Sequence, residues 1–166
     1  MKIFTKYLVA LTLIFALSLT HTFAISKHDD KKVIHEKTFK IEAGKKLNVT
    51  AHVGDVIVTV WDKSEVYIKV TGNEDTSDKF DFSFNGSSDE VTVTAEKKSG
   101  WNWFSNISLK IEVKVPKDFN INANTSGGDI KVGGVNGGIY LKTSGGDIWG
   151  DRFEGNFFAH TSGGDI

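Results

Sequence analysis

NTSGGDIKVGGVNGGIYLKTSGGDIWGDRFEGNFFAHTSGGDI, residues 124–166, decides how the rest of the chain is read. TSGGDI recurs at 125–130, 143–148 and 161–166, a strict period of 18 residues, and a fixed period is the mark of a repeat architecture. Overlaid on that period, Ile130, Ile148 and Ile166 coincide. So do Val135 with Phe153, Ile139 with Phe157, and Leu141 with Ala159, apolar on apolar each time. Within a unit the alternation is short, Ile130-x-Val132 and Ile139-x-Leu141, and glycine pairs punctuate it, which suits brief strands joined by tight turns. Four glycines in so few residues exclude a helix. One such unit buries too little to offset the entropy of ordering it, so each needs neighbours stacked on it. The expected fold is all-β: a β-helix or β-roll, a β-solenoid with 18-residue coils.

Upstream, residues 1–24 read as a signal peptide. Lys2 and Lys6 supply the positive start, residues 7–19 an apolar run too short for a comfortable membrane span, and Thr22-Phe23-Ala24 a small-x-small cleavage site. Export follows as the expectation, to the periplasm, the cell surface or the medium. The chain has no cysteine, so neither a disulfide nor a lipid-modified cysteine holds it. Residues 25–32, ISKHDDKK, read as a flexible lead-in, and residues 33–166 as one solenoid domain.

With 20 basic against 21 acidic residues the formal net charge is −1, and removal of the leader makes it more acidic. No basic stripe for nucleic acid is present.

Between residues 33 and 115 strands are expected at 35–42, 45–51, 56–61, 65–71, 80–85, 91–96 and 107–115, with a hairpin turn at Asn85-Gly86-Ser87-Ser88 and no helix. Residues 51–60, AHVGDVIVTV, resemble a degenerate copy of the later unit, with Gly54-Asp55-Val56 standing for Gly128-Asp129-Ile130. On that basis the N-terminal strands continue or cap the solenoid, and the regular repeats fill 116–166. Ending on the third signature, the chain is expected to be truncated or to offer a C-terminal edge for self-association.

The run VKVPKDFNINANTSGGDIKVGGVNGGIYLKTSGGDI, residues 113–148, together with VGDVIVTVWD at 53–62, resembles the bacterial putative-adhesin family, exported β-strand-repeat domains of unknown function. The resemblance implies a right-handed single-stranded β-helix on or outside the cell envelope, and it implies no catalytic residues and no cofactor.

Candidate chemistry is sparse. Asp129, Asp147 and Asp165 should stack as a column of carboxylates. Either they hold a cation ladder, or each caps its own Ser-Gly-Gly turn with help from Thr125, Thr143 and Thr161. Capping is favoured, because calcium wants six to eight oxygens and the units do not spell the calcium β-roll repeat. The histidines show no metal-ligand spacing, and no nucleophile or phosphate-loop motif is present. Trp101, Trp103 and Phe104, beside Lys97 and Lys98, form either an interaction surface for a sugar or a partner, or a plug for the end of the solenoid. Trp149, whose partner position holds Lys131, is expected on an exposed flank. The function expected is a non-catalytic adhesin-like or scaffold domain meeting a protein or glycan of the envelope. A carbohydrate-active β-helix enzyme and a sensory envelope module are the rival classes.

Overall fold

A computed structural model describes residues 31–100 and 107–166. Over these residues the chain is all-β, with twelve strands and one short helix. The strands are β1 (Lys32–Lys40), β2 (Lys46–Ala51), β3 (Asp55–Trp61), β4 (Glu65–Gly72), β5 (Phe80–Gly86), β6 (Glu90–Lys97), β7 (Leu109–Pro116), β8 (Asn120–Thr125), β9 (Ile130–Gly133), β10 (Ile139–Lys142), β11 (Ile148–Asp151) and β12 (Phe157–His160). They form two six-stranded sheets, one ordered β1-β4-β7-β3-β9-β11 and the other β12-β10-β8-β2-β6-β5.

From β8 onward successive strands alternate between the sheets, and each pairs in parallel with the strand one period away. Ile148 lies beside Ile130, Ile139 beside Ile121, and Phe157 beside Ile139. Strand alternation explains the layering: Ile130, Val132, Ile139, Leu141 and Ile148 point inward and are buried, while Lys131 and Tyr140 between them face solvent. Phe119 and Val135 fill one corner of the core.

The second glycine of each signature permits this stacking. A Cβ on Gly146 would fall on the carbonyl oxygen of Gly128, and one on Gly164 on that of Gly146. Gly54-Asp55-Val56 stands one layer before Gly128-Asp129-Ile130, since Val56 pairs with Ile130 and Gly54 donates its amide to the Gly127 carbonyl at 2.7 Å.

The first half departs from a single-file parallel coil. β2 and β6 are parallel, as are β3 and β7, but β4 runs antiparallel to both β1 and β7 and β5 antiparallel to β6. β7 inserts between β3 and β4, so the turn at residues 62–64 spans it. The expected hairpin turn after Asn85 is present, with the Ser87 amide donating to the Glu90 carbonyl at 2.8 Å.

A helix, α1 (Glu74–Lys79), lies between β4 and β5, where no helix was expected. Glu74 and Asp75 in its first turn and Lys79 in its last suit the helix dipole. Buried Thr76 shares its one hydroxyl proton between Asn73 Oδ1 at 2.7 Å and the Ser108 carbonyl at 3.0 Å, fastening the helix to the sheet.

β1 and β5 meet at the N-terminal end of the core, where the His35 ring stands edge-on to Phe82 and Phe84 at 5.0 and 5.3 Å. Burial there, with the Lys37 charge as a smaller cause, holds the His35 pKa below its ordinary value.

Candidate binding surfaces of the repeat

Repetition generates columns of identical groups. Thr125, Thr143 and Thr161 each donate a hydroxyl to a carbonyl of the preceding layer, those of Gly54, Gly128 and Gly146, at 3.1, 2.9 and 2.8 Å. Thr143 and Thr161 also accept the amides of Gly146 and Gly164 in their own turns, at 3.4 and 3.2 Å. Threonine therefore does the own-turn capping.

The aspartates do something else. Asp55, Asp129 and Asp147 accept, through Oδ1, the backbone amide of the aspartate one layer on, at 3.1, 3.1 and 2.8 Å. Each carboxylate thus ties two layers together instead of closing its own turn, which corrects the expectation on that point. No cluster of three or more His, Cys, Asp or Glu able to hold a metal occurs among the described residues. Trp101, Trp103 and Phe104 lie outside the described residues.

Both sheets turn an outer face to solvent. On the first, Trp149 is 45 % exposed and receives the Lys131 ammonium 4.3 Å from its ring, so the partner position places it on a flank as the sequence implies. Farther along that face Trp61 lies 6.0 Å from Tyr67 and under Lys63 at 4.7 Å. The Tyr67 hydroxyl donates to Glu36 at 2.6 Å, and that bond, aided by burial and the carboxylate charge, raises its pKa.

On the second face Tyr140 and Phe158 stack with centroids 4.7 Å apart and planes 5° from parallel. They are 44 % and 51 % exposed. Asn122 continues the row and donates to Asn48 Oδ1 at 3.3 Å. The 18-residue overlay aligns Tyr140 with Phe158, so this aromatic pair was findable from sequence.

A groove of about 600 Å³ opens at the corner between the sheets, lined by Thr59, Lys117, Asn136, Arg152, Phe153 and Glu154, with Val60, Gly133 and Gly134 beneath. Three layers contribute to it. The Gly134 amide is bonded to the Asp151 carbonyl at 3.0 Å, that of Asn136 to Lys117 at 2.8 Å and that of Glu154 to Val135 at 3.1 Å, so these three amides are not open to a ligand. Phe153 is held by stacking on Phe157 at 4.5 Å.

Arg152 is the sole non-glycine residue in the left-handed region among the described residues, at φ 49°. Its equivalent one period earlier is Gly134, at φ 79°. A side chain in that conformation costs ~1–2 kcal/mol. The Arg152 Nε donates to Asp151 at 2.9 Å, both groups being exposed.

No curated protein matches the chain. A family model described as Toastrack DUF4097 matches residues 44–166. Among solved structures, a putative cell adhesion protein from Clostridium sporogenes is 16% identical over 72% of this chain and 68% of its own, with a TM-score of 0.43. A putative adhesin from Bacteroides fragilis is 10% identical over 83% and 99%, with a TM-score of 0.32. A putative lipid binding protein from Parabacteroides distasonis is 17% identical over 72% and 58%, with a TM-score of 0.33. All three are distant likenesses.

Proposed function

The chain belongs to the Toastrack DUF4097 family, and from that premise we propose that it is a non-catalytic, exported, adhesin-like interaction domain. Its repeats act as 18-residue coils of a β-solenoid, with residues 33–115 as its N-terminal part, and its outer faces meet a protein or glycan of the cell envelope. The leader-like composition of residues 1–24 supports export.

One observation carries the reading. Parallel pairing one period apart sets like side chains in rows on solvent-facing sheets, as at the Tyr140 and Phe158 stack. Strand spacing fixes those rows ~4.8 Å apart, and exposed aromatic rings in such a row are the kind of group that dominates recognition. On the interior strands the backbone groups are spent on neighbouring strands, so contact on the faces falls to these side chains.

The test is a glycan array and a pull-down from envelope material with the full chain. Beside it go the double variant Tyr140→Ser/Phe158→Ser and a triple alanine variant at 101, 103 and 104. Binding that the double variant loses, with its melting temperature unchanged, supports the proposal. Binding that neither variant alters, or turnover of a sugar, contradicts it.

A further inference from the structure

We propose that the corner groove binds an acidic saccharide, a sugar ring carrying a carboxylate, at a site separate from the two sheet faces. The inference begins at Arg152. Backbone geometry there calls for glycine, and the preceding layer has it at Gly134. The chain instead carries the longest cationic side chain available, at the rim of the groove. A residue held against its backbone preference points to a use for its side chain.

The lining says what kind. Nε of Arg152 is taken by Asp151, which leaves the two terminal nitrogens of the guanidinium as a fork suited to a carboxylate. Lys117 makes no ion pair among the described residues, so a second cation faces the same space. Thr59 offers a hydroxyl, Asn136 an amide whose Nδ2 already donates one proton to Asp118 Oδ1 at 3.1 Å, and Glu154 a carboxylate acceptor. These serve ring hydroxyls, which both donate and accept. Phe153, immobilised against Phe157, supplies an apolar wall for a ring face. The volume is that of a small-ligand site, within the usual ~300–1,000 Å³.

An acidic peptide fits less well. Peptides are captured by free strand edges or apolar pockets, and the amides of Gly134, Asn136 and Glu154 are already bonded to neighbouring layers. Three layers at strand spacing span only ~10 Å, the length of one or two sugar rings. The site extends the interaction-domain reading and does not depend on the Tyr140 and Phe158 row.

The probe is digalacturonate titrated into the full chain, followed by calorimetry and by amide shifts of residues 133–136 and 152–154. A neutral digalactoside, succinate and an Asp/Glu tetrapeptide serve as comparison arms. Digalacturonate should bind at least ~10-fold more tightly than each of these. Arg152→Gly and Lys117→Gln should each weaken it by ~10-fold or more. Arg152→Gly restores the residue that the backbone prefers, so its melting temperature should hold or rise by a few degrees. Loss of binding in a more stable protein cannot be unfolding. The proposal fails if both variants bind as the parent does, if succinate or the tetrapeptide equals digalacturonate, or if no arm shifts the groove amides. In the first case a response to Tyr140→Ser/Phe158→Ser would leave the sheet-face reading standing without the groove.

Discussion

Gly145 and Gly146 are neighbours in the same turn, yet alanine should be tolerated at one and not at the other. A Cβ on Gly145 meets nothing nearer than the Ser126 carbonyl oxygen at 3.8 Å, ordinary contact, whereas one on Gly146 lands on the backbone of the layer below, with the Asp129 nitrogen at 2.9 Å. Neither glycine has a left-handed φ, so space alone separates them. To admit the methyl the two layers must part by about 1 Å. That movement breaks or stretches the bond from the Ile130 amide to the Asp147 carbonyl, 2.9 Å, from the Asp147 amide to Asp129, 3.1 Å, and from the Thr143 hydroxyl to the Gly128 carbonyl, 2.9 Å. Three bonds at about 1 kcal/mol each, with about 1 kcal/mol for loosened contact between Ile148 and Ile130, give ~3–5 kcal/mol. Gly145→Ala should stay within ~0.5 kcal/mol of the parent or gain slightly from a stiffer unfolded chain. Urea unfolding followed by tryptophan fluorescence reads the difference as a fall in midpoint of ~1.5 M or more for Gly146→Ala. Equal midpoints for the two variants would refute the close backbone stacking.

Other outcomes follow from the same columns. Thr143→Val keeps the shape but strands the Gly128 carbonyl and the Gly146 amide, so it should lose ~1–3 kcal/mol in a thermal melt, more than Thr161→Val, whose site is half-exposed. Asp147→Asn retains the acceptor for the Asp165 amide while removing one of a file of like charges. It should gain ~0.5–1 kcal/mol at low ionic strength and nothing in 1 M salt, whereas Asp147→Ala should lose about 1 kcal/mol. A loss for Asp147→Asn equal to that for alanine would favour a bound cation instead. Because burial, then Lys37, lowers the His35 pKa below 6.5, the unfolded chain takes up the proton first as pH falls. The stability tied to the neutral ring is complete above pH 6.5 and declines as pH drops from there through the folded value. An NMR titration should place the His35 midpoint below 6.5, moved upward more by Phe84→Ala than by Lys37→Ala; a midpoint at or above the ordinary value contradicts this.

The regular half of the fold was legible because the period fixes it. Once Ile130 and Ile148 align, the buried positions at Val132, Ile139 and Leu141 follow, although Ile166 itself is exposed, and the second glycine of each pair is explained by the carbonyl it must approach. The first half was not, because its strands share one alternating pattern and nothing local says which neighbour each takes. β7 lies between β3 and β4, separated from both by long stretches of chain, and the antiparallel course of β1 has no signature of its own, whereas that of β5 against β6 was announced by the turn after Asn85. α1 was missed because six polar residues show no apolar periodicity, and the buried face is the single Thr76. Asp129 and Asp147 were recognised as structural, but the amide each serves belongs to the next layer, which only the stacking reveals. Arg152 carried a usable signal, since the overlay sets it on Gly134; its position on a groove needed the third dimension.

In-register stacking is tested most directly by NMR scalar couplings across hydrogen bonds. The amides of Ile121, Ile130, Ile139 and Ile148 should each couple to a carbonyl carbon 17 residues later, those of Gly138, Asp147, Asn156 and Asp165, matching bonds of 2.8–2.9 Å. Couplings at that constant offset are the predicted result. Couplings at any other offset, or from these amides to residues within their own turns, would contradict it.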